Sequence, residues 1–182
     1  MSAAALQMLV LAKGTYFMTD TNVTYNPDAN EVAEMTLLAV DEVRRFGIEP
    51  KVALLSHSNF GSARTSSAIK MREAVKILKQ RAPGLEVDGE MQADTALDEA
   101  LRQRIFPGSK LKGQANLLVL PDLNTANTAF NLLKSLSGGL PVGPKLIGAA
   151  KPVHILTQSV TARGIVNMSA IAVVDAQFRE PG

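Results

Sequence analysis

Apolar residues recur along this chain with two different periods, and each change of period marks a predicted element. Residues 6–11 and 16–19 are short apolar runs on either side of Ala12-Lys13-Gly14-Thr15, which predicts a β-hairpin turned at the glycine. After Pro27 the period lengthens. Asp28 offers a cap with Glu31 three positions on, and Val32, Met35, Ala39, Val43 and Phe46 trace one helix face that stops at Gly47. Residues 51–55 are apolar but too few for a helix, and Pro50 and a Ser/His/Asn stretch bound them, so they read as a buried strand. Helical spacing returns at Ala68, Met71, Val75 and Leu78, with Lys and Arg on the opposite side.

The alternation continues with a strand at 85–91 and a third helix opened by Asp94, carrying Leu97, Ala100, Leu101 and Ile105 on one face. A strand at 116–120 and a fourth helix with Leu123, Ala126, Phe130 and Leu133 follow. Strands alternating with helices imply crossover connections, hence an α/β fold: a three-layer αβα arrangement around a mostly parallel sheet. Residues 138–151 form a Gly/Pro-rich bridge, expected to be a loop or a crossing into a partial second domain. Beyond it, 153–156 predicts a strand and the nearly all-apolar 165–174 a deeply buried helix, which needs a partner layer and so predicts self-association.

Composition narrows the function classes. The 182 residues are 46% hydrophobic and 20% charged, the balance of a folded globular chain. A formal charge of +2 and only eight aromatics, two Tyr and six Phe, argue against a nucleic-acid groove. The absence of cysteine excludes disulfides, thiolate metal sites and cysteine nucleophiles, and two histidines leave little for a metal; none is expected. The first residues lack the pattern of a secretory signal, and the apolar stretch 138–156 carries Lys145, Lys151 and prolines, a poor membrane span, so a cytoplasmic location is expected.

No G-x-G-x-x-G follows the first strand, and no P-loop or H-E-x-x-H motif is present. Three segments remain as candidates. The first, Ser56-His57-Ser58-Asn59-Phe60-Gly61-Ser62-Ala63, lies between a strand and a helix, and Ser56, Ser58, Gly61 and Ser62 there form either an anion loop or a plain polar turn capped by Ser62. His57 and its serine neighbours point opposite ways on an extended segment and do not make a catalytic pair. The second, Pro121-Asp122-Leu123-Asn124-Thr125-Ala126-Asn127, sits at a strand's carboxyl end, where open α/β sheets bind ligands. The third runs from Gly143 through Gly148 and Lys151 to Thr157; its glycines allow close backbone approach and Lys151 suits a phosphate.

Taken together in order and spacing, Ala53-Leu54-Leu55-Ser56-x-Ser58-x-x-Gly61-Ser62-Ala63, Pro121-Asp122-Leu123-Asn124-x-x-Asn127 and Gly143-Pro144-x-Leu146-x-Gly148-x-Ala150-Lys151-Pro152-Val153 resemble the phosphate acetyl/butyryltransferase family. His57, residues 157–167 and Val43-Arg44-Arg45-Phe46-Gly47 look most like the transferase-like C-terminal region of large bacterial NADP-dependent malic enzymes. The resemblance implies a phosphotransacetylase-like fold of two α/β domains with the active site between them. Residues 1–148 would be the inserted domain and 149–182 a strand and helix returning to the other, mostly absent, domain. The chain would then be part of a longer polypeptide.

By the same resemblance, transferases follow Lys-Pro-Val with N-D-L-S-R-G and an acidic residue, the serine and arginine holding the acyl phosphate and the acid serving as base toward the thiol of CoA. Here Thr157 keeps a hydroxyl, Gln158 stands for the arginine, and Gly164 for the acid. A neutral amide cannot grip phosphate as guanidinium does, and glycine is no base. The resemblance therefore implies a regulatory and oligomerising domain that binds acetyl-CoA as effector without transferring acetyl groups. NADP and a divalent metal would belong to the malic-enzyme catalytic part of the same polypeptide, with no cofactor in this domain. The alternative is an active phosphate acetyltransferase with Arg163 replacing the missing arginine. The expected acetyl-CoA contacts are Asn124, Lys151, Thr157, Gln158, Ser159 and Arg163, with Thr161 capping the last helix; a homo-oligomer is expected, and neither nucleic acid nor membrane.

Overall fold

The computed structural model describes residues 3–158 and 160–179. The hairpin forms as the sequence predicts: β1 (Ala4–Leu11) and β2 (Gly14–Thr19) pair antiparallel from Leu11↔Gly14 to Gln7↔Met18. Helix α1 (Ala29–Arg45) starts at a complete capping box, in which the Asp28 carboxylate accepts from Glu31 N at 2.9 Å and the Glu31 carboxylate from Asp28 N at 2.8 Å. It ends before Gly47, whose φ of +73° lets the chain turn away. Strand β3 (Val52–Leu55), α2 (Ser66–Arg81), β4 (Val87–Met91), β5 (Leu117–Val119) and α5 (Leu123–Ser137) all fall where the two periods place them.

The single sheet has the order β4-β3-β5-β2-β1-β6, where β6 is Leu140–Ile147. Neighbours are parallel except at β1, which is antiparallel to both β2 and β6, so one strand of six runs against the rest. Strand residues alternate between two cores. Phe17, Val52, Leu54, Leu117 and Val119 face α1 and α2, while Met18, Ala53, Leu55, Leu118 and Leu120 face Ala96, Ala126 and Phe130 from the helices on the other side. This is the three-layer arrangement.

Three local expectations change. The helix opened near Asp94 is two pieces, α3 (Ala93–Leu97) and α4 (Glu99–Ile105), because Asp98 takes an extended conformation and its carboxylate caps α4 by accepting from Leu101 N at 3.0 Å. The bridge 138–151 is mostly β6, paired with β1 from Val10↔Leu140 to Ala4↔Ile147. The strand expected at 153–156 reduces to one bridge, His154 opposite Lys145. Helix α6 (Ala162–Arg179) forms, yet only Met168 and Asp175 among its described side chains are buried, and Ile165, Val166, Val173, Val174 and Phe178 are exposed. A helix apolar all round is a helix meant to be covered.

Candidate functional site

Five of the six strands send their carboxyl ends to one edge of the sheet, and the loops there build the site. At the end of β2, the buried Asp20 carboxylate accepts from four backbone amides: Ala5 at 2.9 Å, Asn22 at 3.0 Å, Val23 at 3.1 Å and Thr24 at 2.7 Å. That clasp fixes Thr21 and Asn22 beside the start of α5, where Asp122 caps the helix by accepting from Thr125 N at 2.9 Å. Asn127, one turn on, donates to the Thr21 carbonyl at 3.1 Å and accepts from Asn131 Nδ2 at 3.0 Å. The chain therefore uses carboxamides to join β2 to α5 across the mouth of a cleft.

The cleft, of about 240 Å³, lies over β1 and β6 between α5 and residues 155–164. Gln7 and Phe130 line it from below, Asn127, Asn131 and Lys134 from α5, and Thr157, Thr161 and Gly164 from the segment leading into α6. Beyond Asn22 and Asn127 it adjoins a second hollow of about 320 Å³ that contains Asn124. Two of the expected contacts, Asn124 and Thr157, thus lie in adjoining hollows. Lys151, Gln158 and Arg163 are exposed and line neither hollow, and Ser159 lies outside the described residues. Thr161 caps α6 as expected, its Oγ1 accepting from Gly164 N at 3.0 Å, which brings the first turn of that helix to the cleft wall.

The segment after β3 does hold an anion, and the anion is the protein's own. Glu90, fully buried on β4, accepts from Ser58 Oγ at 2.7 Å, Gly61 N at 3.0 Å and Arg72 Nη1 at 2.9 Å. Ser58 and Gly61 therefore spend donors on an internal carboxylate, and Ser62 accepts from Asn59 N at 3.1 Å instead of capping α2, a task taken by Thr65. Ser56 Oγ faces Ser58 N at 3.4 Å. Gly89, with φ +142°, is required here, because a Cβ on it would stand 2.6 Å from the Leu54 carbonyl oxygen.

A second buried cluster ties α6 to the sheet. Lys145 on β6 donates to the carboxylates of Glu42 on α1 and, at 2.6 Å, Asp175 on α6; Arg45 reaches Glu42 at 3.2 Å. His154 stands with Nε2 3.7 Å from Asp175 Oδ2, and burial, followed by the Lys145 charge, pushes its pKa below the ordinary imidazole value. The folded state thus resists a proton that the unfolded chain accepts at about pH 6.5. Stability should be fully present above that pH and fall as pH drops below it. Denaturant midpoints at about pH 7.5 and 5.5 check this: the difference should shrink in His154→Leu, whereas an equal difference would place the slope elsewhere.

A family profile described as phosphate acetyl/butaryl transferase matches residues 1–173. The chain belongs to that family. Within it, the chain is 54% identical over 177 residues to the NADP-dependent malic enzyme of Escherichia coli, covering 97% of this chain and 23% of that one. It is 52% identical to the NAD-dependent malic enzyme of Rhizobium meliloti, over 95% of this chain and 22% of that one. To the phosphate acetyltransferase of Paracoccus denitrificans it is 43% identical, over 91% of this chain and 52% of the relative. A phosphotransacetylase structure from Streptococcus pyogenes superposes with a TM-score of 0.93 at 30% identity, over 98% of this chain and 55% of that one. The chain thus spans under a quarter of the malic enzymes it matches and about half of the transferases. Among the described residues, no helix is long and apolar enough to cross a membrane.

The motif blocks that carried the resemblance all lie within the matched residues 1–173. Gln7, Lys134, Glu90 and the Glu42–Lys145–Asp175 cluster escaped sequence reasoning. Their signal was a polar residue inside an apolar pattern: Gln7 in β1, Glu90 in β4, Glu42 on the apolar side of α1, and Asp175 in a helix otherwise almost free of charge.

Proposed function

We propose that this chain is the transferase-like regulatory domain of an NADP-dependent malic enzyme, binding acetyl-CoA in the cleft beside α5 and supporting oligomerisation without transferring acetyl groups itself. The observation that carries this reading is the cleft lining: its described residues include no carboxylate, imidazole or guanidinium. Acyl transfer to a thiol needs a group to take the thiol proton and a charge-assisted grip on the phosphate. Gly164 lines the cleft where the transferase motif has its acid, and Gln158, in place of the arginine, is exposed outside it. Binding needs only shape and donors, which the carboxamides, the threonines and Lys134 supply. NADP and a divalent metal act in the catalytic part of the polypeptide, and the uncovered apolar face of α6 suits assembly.

In the full-length polypeptide, acetyl-CoA should bind and alter malate oxidation, and acetyl phosphate with CoA should show no turnover above background. Arg163→Ala and Lys151→Ala test the outer contacts, each expected to weaken acetyl-CoA binding by about 1.5–3 kcal/mol if it meets a phosphate. The second reading, an active phosphate acetyltransferase, draws on Arg163, which lies in the first turn of α6 between the cleft residues Thr161 and Gly164. Robust turnover abolished by Arg163→Ala would establish it and end the regulatory reading.

A further inference from the structure

The floor of the cleft holds an unpaired polar group. Gln7 is 8% exposed, lines the cleft, and its Oε1 has no hydrogen-bond partner. A buried amide oxygen left unpaired is costly, and such groups persist where something else pairs them. The residue opposite it carries no side chain. Gly143, across the strand pair, has φ +123°, and a Cβ there would stand 2.8 Å from Gln7 Oε1 and 3.0 Å from the Leu6 carbonyl oxygen. Any other residue at position 143 would press on the carboxamide.

The cleft also carries one charge. Lys134, half-buried on α5, is the only ionic side chain among its described lining residues, and no described carboxylate pairs with it within 4.0 Å. The capped first turn of α6 forms another wall, through Thr161 and Gly164, and adds a weakly positive end. One end of the cleft thus accepts a hydrogen bond from a neutral N–H or O–H, and the rest favours an anion.

We propose that Gln7 and Lys134 are specificity-determining residues for a ligand that joins an amide-bearing arm to a phosphate: Gln7 Oε1 accepts an amide N–H of the arm, and Lys134 meets the phosphate. This rests on the acetyl-CoA reading and adds to it which part of that ligand lies where, since the pantetheine arm of CoA carries two amides and leads to a pyrophosphate. About 240 Å³ is too small for a whole CoA and matches an arm with its nucleotide outside. No covalent step is involved.

The test is isothermal titration of the full-length polypeptide with three probes: acetyl-CoA, uncharged pantetheine, and adenosine 3′,5′-bisphosphate. Gln7→Met, close in shape but unable to accept, should weaken acetyl-CoA and pantetheine about three- to tenfold and leave the bisphosphate unchanged. Lys134→Ala should weaken acetyl-CoA by at least about tenfold, flatten its salt dependence, and leave pantetheine unchanged. A thermal melt without ligand separates this from a structural role: removing an unpaired buried oxygen should not lower the melting temperature of Gln7→Met, while its upward shift with acetyl-CoA should shrink. Should that variant fail to fold, Gln7 has a structural task and its assignment is overturned; Lys134→Ala then stands as the remaining test of the phosphate half. Wild-type protein that binds acetyl-CoA, with both variants binding equally well, would overturn this inference alone. Wild-type protein that binds no acetyl-CoA would overturn it together with the reading it rests on.

Discussion

Replacing Lys145 by alanine should release α6 from the sheet at a cost of about 3–5 kcal/mol, because it leaves the buried carboxylates of Glu42 and Asp175 facing each other with the partly exposed Arg45 and the His154 imidazole as their compensation. The loss should appear as a lower urea midpoint and as protease cleavage between residues 155 and 179, with the six-stranded sheet intact. The triple replacement Glu42→Leu, Lys145→Met, Asp175→Leu should recover most of that stability, since it removes the desolvated charges along with their attraction. A change below about 1 kcal/mol in Lys145→Ala would mean that apolar contacts alone hold the helix.

Arg102→Ala should cost a similar amount, about 3–5 kcal/mol, through a different mechanism. Arg102 is fully buried and faces no carboxylate; its guanidinium donates to four carbonyls, those of Thr95 at 3.0 Å, Ala96 at 3.2 Å, Leu111 at 2.9 Å and Gly113 at 2.6 Å. It pins α3, α4 and the loop entering β5 to one another, and its removal takes a charged donor from all four carbonyls, of which Ala96 keeps the bond from Ala115 N at 3.0 Å. Lysine keeps the charge but lacks the planar fork, so Arg102→Lys should recover less than half of the loss. Denaturant titration measures both; equal stability of the lysine variant and wild type would show that charge, not geometry, is what matters there.

What could be read from the sequence follows from how far apart the interacting residues are. The caps at Asp28 and Thr161 were legible because a side chain and the amides it serves lie within three residues. Asp98 was not, since an aspartate in a helical pattern is equally a solvated face and a break. Strand β6 hid behind Pro141, Gly143 and Pro144, which read as loop residues, yet β6 is an edge strand, where a missing N–H costs nothing. Donors in residues 56–62 were visible, but the anion they hold, Glu90, arrives from the neighbouring strand. Nothing local marks Arg102 as buried, since its four carbonyl partners are 6 to 11 positions away. In the Glu42–Lys145–Asp175 cluster Lys145 lies 103 positions from Glu42 and 30 from Asp175, and Gln7 meets Gly143 only through the pairing of β1 with β6. Of the cleft's lining, the motif segments contain Asn127 and Thr157, with Asn124 in the adjoining hollow; Gln7 on the floor and the Lys134 cation belong to elements without motif.

Helix α6 also has a mechanical side. One end is fixed by Asp175 in the ionic cluster, and the other, at the Thr161 cap, forms part of the cleft wall. The fourteen residues from Ala162 to Asp175 make a rod of about 20 Å, so a tilt of only about 3° around the cluster moves the cleft wall by about 1 Å. Whatever presses on the uncovered apolar side of that rod acts with leverage on the width of the cleft, and anything that fills the cleft acts with the same leverage in return.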